Sequence, residues 1–356
     1  MVIVVIPAMC LYWNDRCDKY RKMQDMTTLN MVDREQRDLI AGLQPFDRTR
    51  DGVEGFRNTM ADGLGPLLTP EPVVFGTESV PAGKDARPVM RVLVHRPDAG
   101  VTGGGDAEAP GARQVAGDAR PAILYLHGGG MVAGTPEIMA GTNSRLAART
   151  GAIVFAPAYR LAPEHPFPAG VEDCYAALEW LYDNAARLGV DPARISVMGD
   201  SGGGGLAAAV ALMARDRARV ALKAQILIYP MLDIRTGTSA ALTDDPLTGE
   251  FMVNRDLVSF AWSLVKGDAQ PQGRSAGYLS PALAEDLTGL APAILVTGAL
   301  DLFRDEDIAY ACRLMASGVA TDLMVHAGAV HGFDILPGEI AEQARTSLFA
   351  AMRRLI

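Results

Sequence analysis

"ISVMGDSGGGGLAAAV", Ile195 to Val210, joins an apolar run that reads as a strand to a glycine- and alanine-rich run that reads as a helix. At the junction stands Gly199-Asp200-Ser201-Gly202-Gly203, a G-x-S-x-G. In a chain with 37 glycines the pattern alone says little, so its position has to carry the meaning. A serine on a sharp strand-to-helix turn is held strained and exposed, and only small neighbours leave room for such a turn. The helix that follows aims its first amides and its dipole at that serine, where negative charge would develop. The bland alternative is a glycine-rich helix start with a capping serine.

Working outward, the same alternation continues on both sides. "AILYLHGG", "AIVFAPAY", "RISVMGD", "KAQILIYP", "PAILVTGALD" and "TDLMVHAG" read as strands, and helical stretches such as "AGVEDCYAALEWLYDNAARLG" and "EIAEQARTSLFAAMRRLI" separate or follow them. Strands joined through helices need crossover connections, so the expected fold is α/β, a mostly parallel central sheet flanked by helices. Ligands of such sheets bind at the carboxyl ends of the strands. From Met231 to Pro271 the alternation stops, and "LTDDPLTGEFMVNRDLVSFAWSLVKGD" reads as helical. Together with the N-terminal helices it is the candidate helical cap, with Phe251, Phe260 and Trp262 as bulky candidates for a wall of the site. The expected organisation is an N-terminal cap segment over 1–60, core over 61–230, a cap insertion over 231–271 and core again over 272–356. The first 25–30 residues read as an upstream extension, with Met26 and Met31 as alternative starts. Asp98 to Arg120 reads as a long exposed loop, and its own Gly103 to Gly105 warns that three glycines are no signal by themselves.

Composition narrows the ligand class. The 356 residues are 49% hydrophobic and carry a formal net charge of -9, a field that attracts neither nucleic acid nor an anionic membrane. The apolar opening "MVIVVIPAMCLYW" is shorter than a membrane span and lacks a basic start, which argues against stable membrane insertion. Four scattered cysteines suit reduced thiols and a cytoplasmic location, with Cys174 and Cys312 expected to be buried. A small organic molecule is the expected partner.

A serine hydroxyl is a poor nucleophile and needs a base, and the base needs an orienting acid. Of the five histidines, His331 in "AVHGF" follows a strand end in a loop, where an imidazole reaches the rim of the sheet. Asp301 ends "PAILVTGALD" in the same kind of place, with Asp305 as the alternative, since Asp305, Glu306 and Asp307 read as the acidic first turn of a helix. The order Ser, Asp, His is that of the α/β-hydrolase topology. The glycines after His127 then acquire a purpose. Backbone N–H groups unobstructed by side chains can hold an oxyanion, and the N–H of Gly202 would complete the set.

"HGGG", "YRLAPEHPFPA", "GDSGGG", "DLFRDE" and "HGF", in this order, resemble the bacterial hormone-sensitive-lipase family of esterases, from about Leu67 to the C-terminus. The resemblance implies an α/β-hydrolase fold with a helical cap, and hydrolysis of small-molecule carboxylic esters with no cofactor and no metal. It puts the triad on Ser201, Asp301 and His331, and the oxyanion donors on Gly129, Gly130 and Gly202, with Gly128 shaping the turn. It also implies a homodimer paired through a sheet edge. The chain departs from the family habit at Gly202, where alanine is usual, and at Leu302, where proline is usual. Tyr159, Arg160 and Glu164 read as a structural hydrogen-bond and ion-pair cluster, and Asp200 as a local scaffold. Amide or lactone hydrolysis is the alternative on the same triad. A ligand receptor on this fold is the other, although such receptors tend to lose the histidine that stands here as His331.

Overall fold

Strands that are apolar at every position have to be covered on both faces, and this sets the architecture. The computed structural model describes residues 28–43, 48–64, 73–81, 88–97 and 119–356. In chain order it contains α1 (Arg37–Ala41), α2 (Arg48–Leu64), β1 (Val73–Val80), β2 (Met90–Pro97), β3 (Arg120–Leu126), α3 (Ala140–Thr150), β4 (Ile153–Pro157), α4 (Ala169–Asp183), α5 (Ala185–Leu188), β5 (Val190–Asp200), α6 (Gly202–Arg217) and β6 (Gln225–Ile228). It continues with α7 (Arg255–Lys266), α8 (Arg274–Leu279), β7 (Ala293–Gly298), α9 (Arg304–Ala316), β8 (Thr321–His326) and α10 (Glu339–Leu355). All eight strands form one sheet in the order β1-β2-β4-β3-β5-β6-β7-β8. Only β2 runs against its neighbours β1 and β4, and the remaining pairs are parallel.

The period of two along β3 assigns the faces. Leu124 and Leu126 join the core beneath α4, α6 and α9, while Ile123 and Tyr125 join the core beneath α3 and α10. Strands β4, β6 and β7 are buried at every residue. Helix α6 is buried from Gly202 to Ala214, which is why its sequence has no polar face. The mostly parallel α/β sheet is therefore as the sequence led us to expect.

Two details differ. Residues 242–254 form turns rather than helix, with Gly249 at φ 75°, and helix begins only where the Asn254 side chain accepts from Leu257 N at 2.9 Å. Cys174 is buried as expected, but Cys312 is exposed, because α9 turns Tyr310, Ala311 and Leu314 inward and leaves position 312 on its outer face. The expected loop after Asp98, the apolar opening, Cys10 and Cys17 lie outside the described residues. Among the described residues no helix is long and apolar enough to cross a membrane.

A strap at the N-terminus braces the carboxyl ends of β7 and β8. Asp33 N donates to Gly328 O at 2.9 Å, and Gln36 Nε2 donates to Phe333 O at 2.8 Å. Val32 and Ile40 pack with Leu300, Val330 and Leu336, so the strap grips both loops that follow those strands. The Thr28 hydroxyl and N–H both donate to Glu250, which ties the strap to the 231–271 region.

His95 on β2 is fully buried, neither ring nitrogen has a partner, and burial lowers its pKa to about 4. The unfolded chain binds that proton near pH 6.5, so this site's contribution to stability is present above pH 6.5 and is lost as the pH falls toward 4. Relative to wild type, His95→Leu should gain about 1–2 kcal/mol between pH 7.5 and pH 5. Urea midpoints at the two pH values test this, and a difference that does not change with pH would contradict it.

Candidate active site

Strand β5 ends at Asp200 and α6 begins at Gly202, leaving Ser201 alone at φ 54° and ψ -122°. A non-glycine residue holds a positive φ only when its surroundings over-determine it. Here Ser201 N donates to Ile228 O at 2.9 Å, while Ser201 O accepts from Met231 N at 2.9 Å and Gly205 N at 3.0 Å. The neighbouring glycines are a steric necessity. A Cβ on Gly199 would lie 2.1 Å from Gly203 O, and one on Gly203 would lie 2.0 Å from Leu126 O.

Ser201, Asp301 and His331 come together. His331 Nε2 lies 2.9 Å from Ser201 Oγ, and His331 Nδ1 lies 2.8 Å from Asp301 Oδ2. A carboxylate only accepts, so Nδ1–H donates to Asp301 and Nε2 is left to accept from the serine hydroxyl. Asp301 is itself fixed, because its Oδ1 accepts from Phe303 N at 2.9 Å. The two loops are stitched together by Ala299 N to His326 O at 2.9 Å and Leu300 N to Ala329 O at 3.0 Å. Rings of Tyr229 and Phe303 pack against the imidazole with centroids at 4.5 and 5.3 Å.

The rival carboxylates are occupied elsewhere. Asp305 pairs with Arg304 and accepts from the Thr243 hydroxyl. Glu306 accepts from Leu232 N, Asp233 N and the Thr236 hydroxyl, and burial pushes its pKa up to about 8. Among the other histidines, His127 donates from Nδ1 to Gly128 O at 2.8 Å and stacks on Tyr159, His165 is exposed, and His326 stays on β8.

The glycine turn folds against the serine elbow. Gly129 and Gly130 have φ 117° and 59°, and Gly129 O accepts from Val132 N at 3.0 Å and Ala133 N at 2.9 Å. A Cβ on Gly128 would lie 2.3 Å from Asp200 Oδ2, and one on Gly202 would lie 2.8 Å from the Cα and N of Gly130 and from Met131 N. Among the described residues, the N–H groups of Gly129, Gly130 and Gly202 do not donate to the turns around them. The loop is braced from outside by Arg57 of α2, which donates to Val132 O at 2.8 Å and pairs with Glu164 at 2.7 Å. Tyr159, Arg160 and Glu164 each make structural ties, Tyr159 donating to His127 O, Arg160 pairing with Asp173 and Glu164 with Arg57.

Sequence reasoning missed the side chains nearest the glycines. A Cβ on Gly129 would meet Met60 Sδ at 3.1 Å, one on Gly130 would meet Ala261 Cβ at 3.3 Å, and one on Gly332 would meet Met252 Cε at 3.4 Å. Trp262 instead packs in the main core and Phe251 against the strap cluster, while Phe260 is half-buried. Nothing in a single sequence brings residues 60, 252 and 261 to one place.

With that geometry in view, a family model of the alpha/beta hydrolase fold matches residues 123–335. The chain belongs to this α/β-hydrolase family. The carboxylesterase NlhH of Mycobacterium tuberculosis is 38% identical over 245 residues, covering 67% of this chain and 75% of that one. The carboxylic ester hydrolase LipN of the same organism is 36% identical over 280 residues, 76% of this chain and 73% of that one. Among solved structures, a bacterial heroin esterase superposes with a TM-score of 0.77 at 32% identity, covering 92% of this chain and 99% of its own. A hyperthermophilic esterase of the archaeon Pyrobaculum calidifontis gives 0.75 at 30% identity, over 91% and 98%. The resemblance to hormone-sensitive-lipase-type esterases thus holds, and this α/β-hydrolase is a carboxylic ester hydrolase.

Proposed function

We propose that the chain is a serine carboxylesterase that hydrolyses short-chain acyl esters through an acyl-enzyme intermediate. The observation that carries this is the unbroken hydrogen-bond chain from Ser201 Oγ through His331 to Asp301, at 2.9 and 2.8 Å. Ser201 attacks the ester carbonyl as His331 Nε2 takes its proton, and the imidazolium then gives that proton to the departing alkoxide. Asp301 holds the ring's tautomer and stabilises its positive form. The tetrahedral oxyanion is received by the N–H groups of Gly129, Gly130 and Gly202, which among the described residues donate to no backbone carbonyl of the turns around them. Gly128 shapes the turn that aims them. A water activated by His331 releases the acid in the second half of the cycle.

The segments over 1–60 and 231–271 serve as the cap, and the remaining two segments as the catalytic core. The contacts of Met60, Met252 and Ala261 beside the glycines support a site roofed by both cap segments. Each buried CH₂ contributes about 0.8 kcal/mol, so kcat/KM should first climb with acyl length. It should fall once the chain meets a packed wall. A p-nitrophenyl ester series from acetate to palmitate is expected to peak at about four to six carbons. A maximum at twelve carbons or beyond would overturn the closed cap.

Two further properties belong to the same reading. Cys174 and Cys312 are both free thiols, which fits a reducing, cytoplasmic setting. Exposed Val74 and Phe75 on edge strand β1 and Val325 on edge strand β8 support pairing into a homodimer through a sheet edge. Light scattering at micromolar concentration should then give a dimer, and a lone species of 37.8 kDa would contradict it.

A further inference from the structure

Two carboxyl groups stand beside the reacting chain without belonging to it. Asp200 immediately precedes Ser201, and its Oδ1 accepts from Tyr125 Oη at 2.5 Å. Asp334 lies three residues after His331, and its Oδ1 accepts from Tyr229 Oη at 2.6 Å. The Tyr229 ring is the one packed at 4.5 Å against the imidazole, so Asp334 is connected to His331 through that tyrosine. Burial keeps both phenols protonated, which fixes them as donors and the carboxyls as acceptors.

The groups facing the two carboxyls are Tyr125, Tyr159, Tyr229, His326, His331 and Arg345. Arg345 donates to the Asp334 backbone carbonyl and pairs with Glu342. Besides Arg345, the two imidazoles can carry positive charge; burial disfavours it at His326, while His331 faces both carboxyls and gains a proton in the reaction. Burial raises Asp200 to about 6 and Asp334 in the same direction, and the Asp334 charge adds to the rise at Asp200.

We propose that Asp334 and Asp200, each anchored by a tyrosine hydroxyl, act as positioning residues that hold negative charge beside His331 and favour its imidazolium form during ester hydrolysis. This rests on the triad reading above. A negative charge near a forming imidazolium stabilises the state in which the serine's proton has moved, and the effect is strong where water is excluded. Loss of that charge makes the imidazole harder to protonate. The acid limb of the rate profile then moves to lower pH while kcat on the plateau falls.

The test is kcat/KM for p-nitrophenyl butyrate between pH 5 and 9. Asp334→Asn keeps the shape and an acceptor for Tyr229 but removes the charge. It should move the acid limb down by about half a pH unit or more and lower plateau kcat about 5- to 30-fold, with KM within about twofold. Tyr229→Phe keeps the ring against His331 and removes only the hydroxyl, so Asp334 stays protonated to higher pH and the limb moves the same way by less. Asp334→Glu retains the charge and should leave the limb in place. A lower kcat with an unmoved limb in both Asp334→Asn and Tyr229→Phe would reduce the cluster to packing and overturn the proposal. So would an upward shift, or an equal shift in Asp334→Glu. If Asp334→Asn does not fold, Tyr229→Phe against wild type decides alone. Failure of the triad reading is separately visible, because Ser201→Ala would then keep its activity whatever happens at position 334.

Discussion

Replacing Ser201 with alanine is expected to leave a folded chain whose kcat on p-nitrophenyl butyrate has fallen by about 10³-fold or more. Among the described residues the hydroxyl's hydrogen-bond partner is His331 Nε2, so its removal leaves the elbow's three backbone hydrogen bonds untouched. Residual hydrolysis would be what binding and the glycine N–H groups supply without a nucleophile. The melting temperature should change by only a few degrees, since a single polar contact at a part-buried site is worth about 1 kcal/mol. Enzyme purified from an esterase-deficient host and still within tenfold of wild type would defeat the assignment of the nucleophile.

Asp301→Asn should be nearly as damaging, for a different reason. The amide oxygen can still accept from Phe303 N, so the loop keeps its shape. What faces His331 Nδ1 is now an NH₂ donor, and the ring must turn its lone pair to Nδ1 and its proton to Nε2. An Nε2 that carries a proton cannot take one from Ser201. A loss of about 10³- to 10⁴-fold in kcat with KM within about threefold is expected. Steady-state kinetics with butyrate ester provide the measurement, and a loss below tenfold would mean that another acid orients the base.

Much of this was readable before any coordinates, and the reason is positional. Ser201, Asp301 and His331 each sit just past the carboxyl end of a strand whose apolar run is plain in the text, and parallel sheets gather such positions on one rim. The Tyr125–Asp200 pair was not readable in this way. It exists because β3 and β5 are neighbours in a register that puts Leu126 opposite Gly199, a fact of sheet order that chain order hides. The same holds for the strap, where Gln36 meets Phe333 across almost the whole length of the chain. Periodicity does not show that Cys312 faces outward, because its helix has apolar residues on more than one face, Met315 among them. Residues 242–254 carry helix-permissive side chains, but Pro246 and Gly249 break the run before Asn254 restarts it.

The seating of Gly202 against Gly130 and Met131 bears on how this protein could be made more robust. Swapping a helical glycine for alanine is a standard route to a higher melting temperature, because the unfolded chain has fewer conformations to lose, by about 0.4–1 kcal/mol. Family habit points to the same substitution here, since alanine usually follows the nucleophile. In this chain the added methyl would arrive 2.8 Å from main-chain atoms that have no flexible end to swing aside. The turn carrying Gly129 and Gly130 would have to withdraw by several tenths of an ångström, and the N–H groups proposed to receive the oxyanion would withdraw with it. Thermostabilisation of this enzyme by imitation of its relatives therefore has to treat positions 130, 131 and 202 as one unit, changed together or left alone.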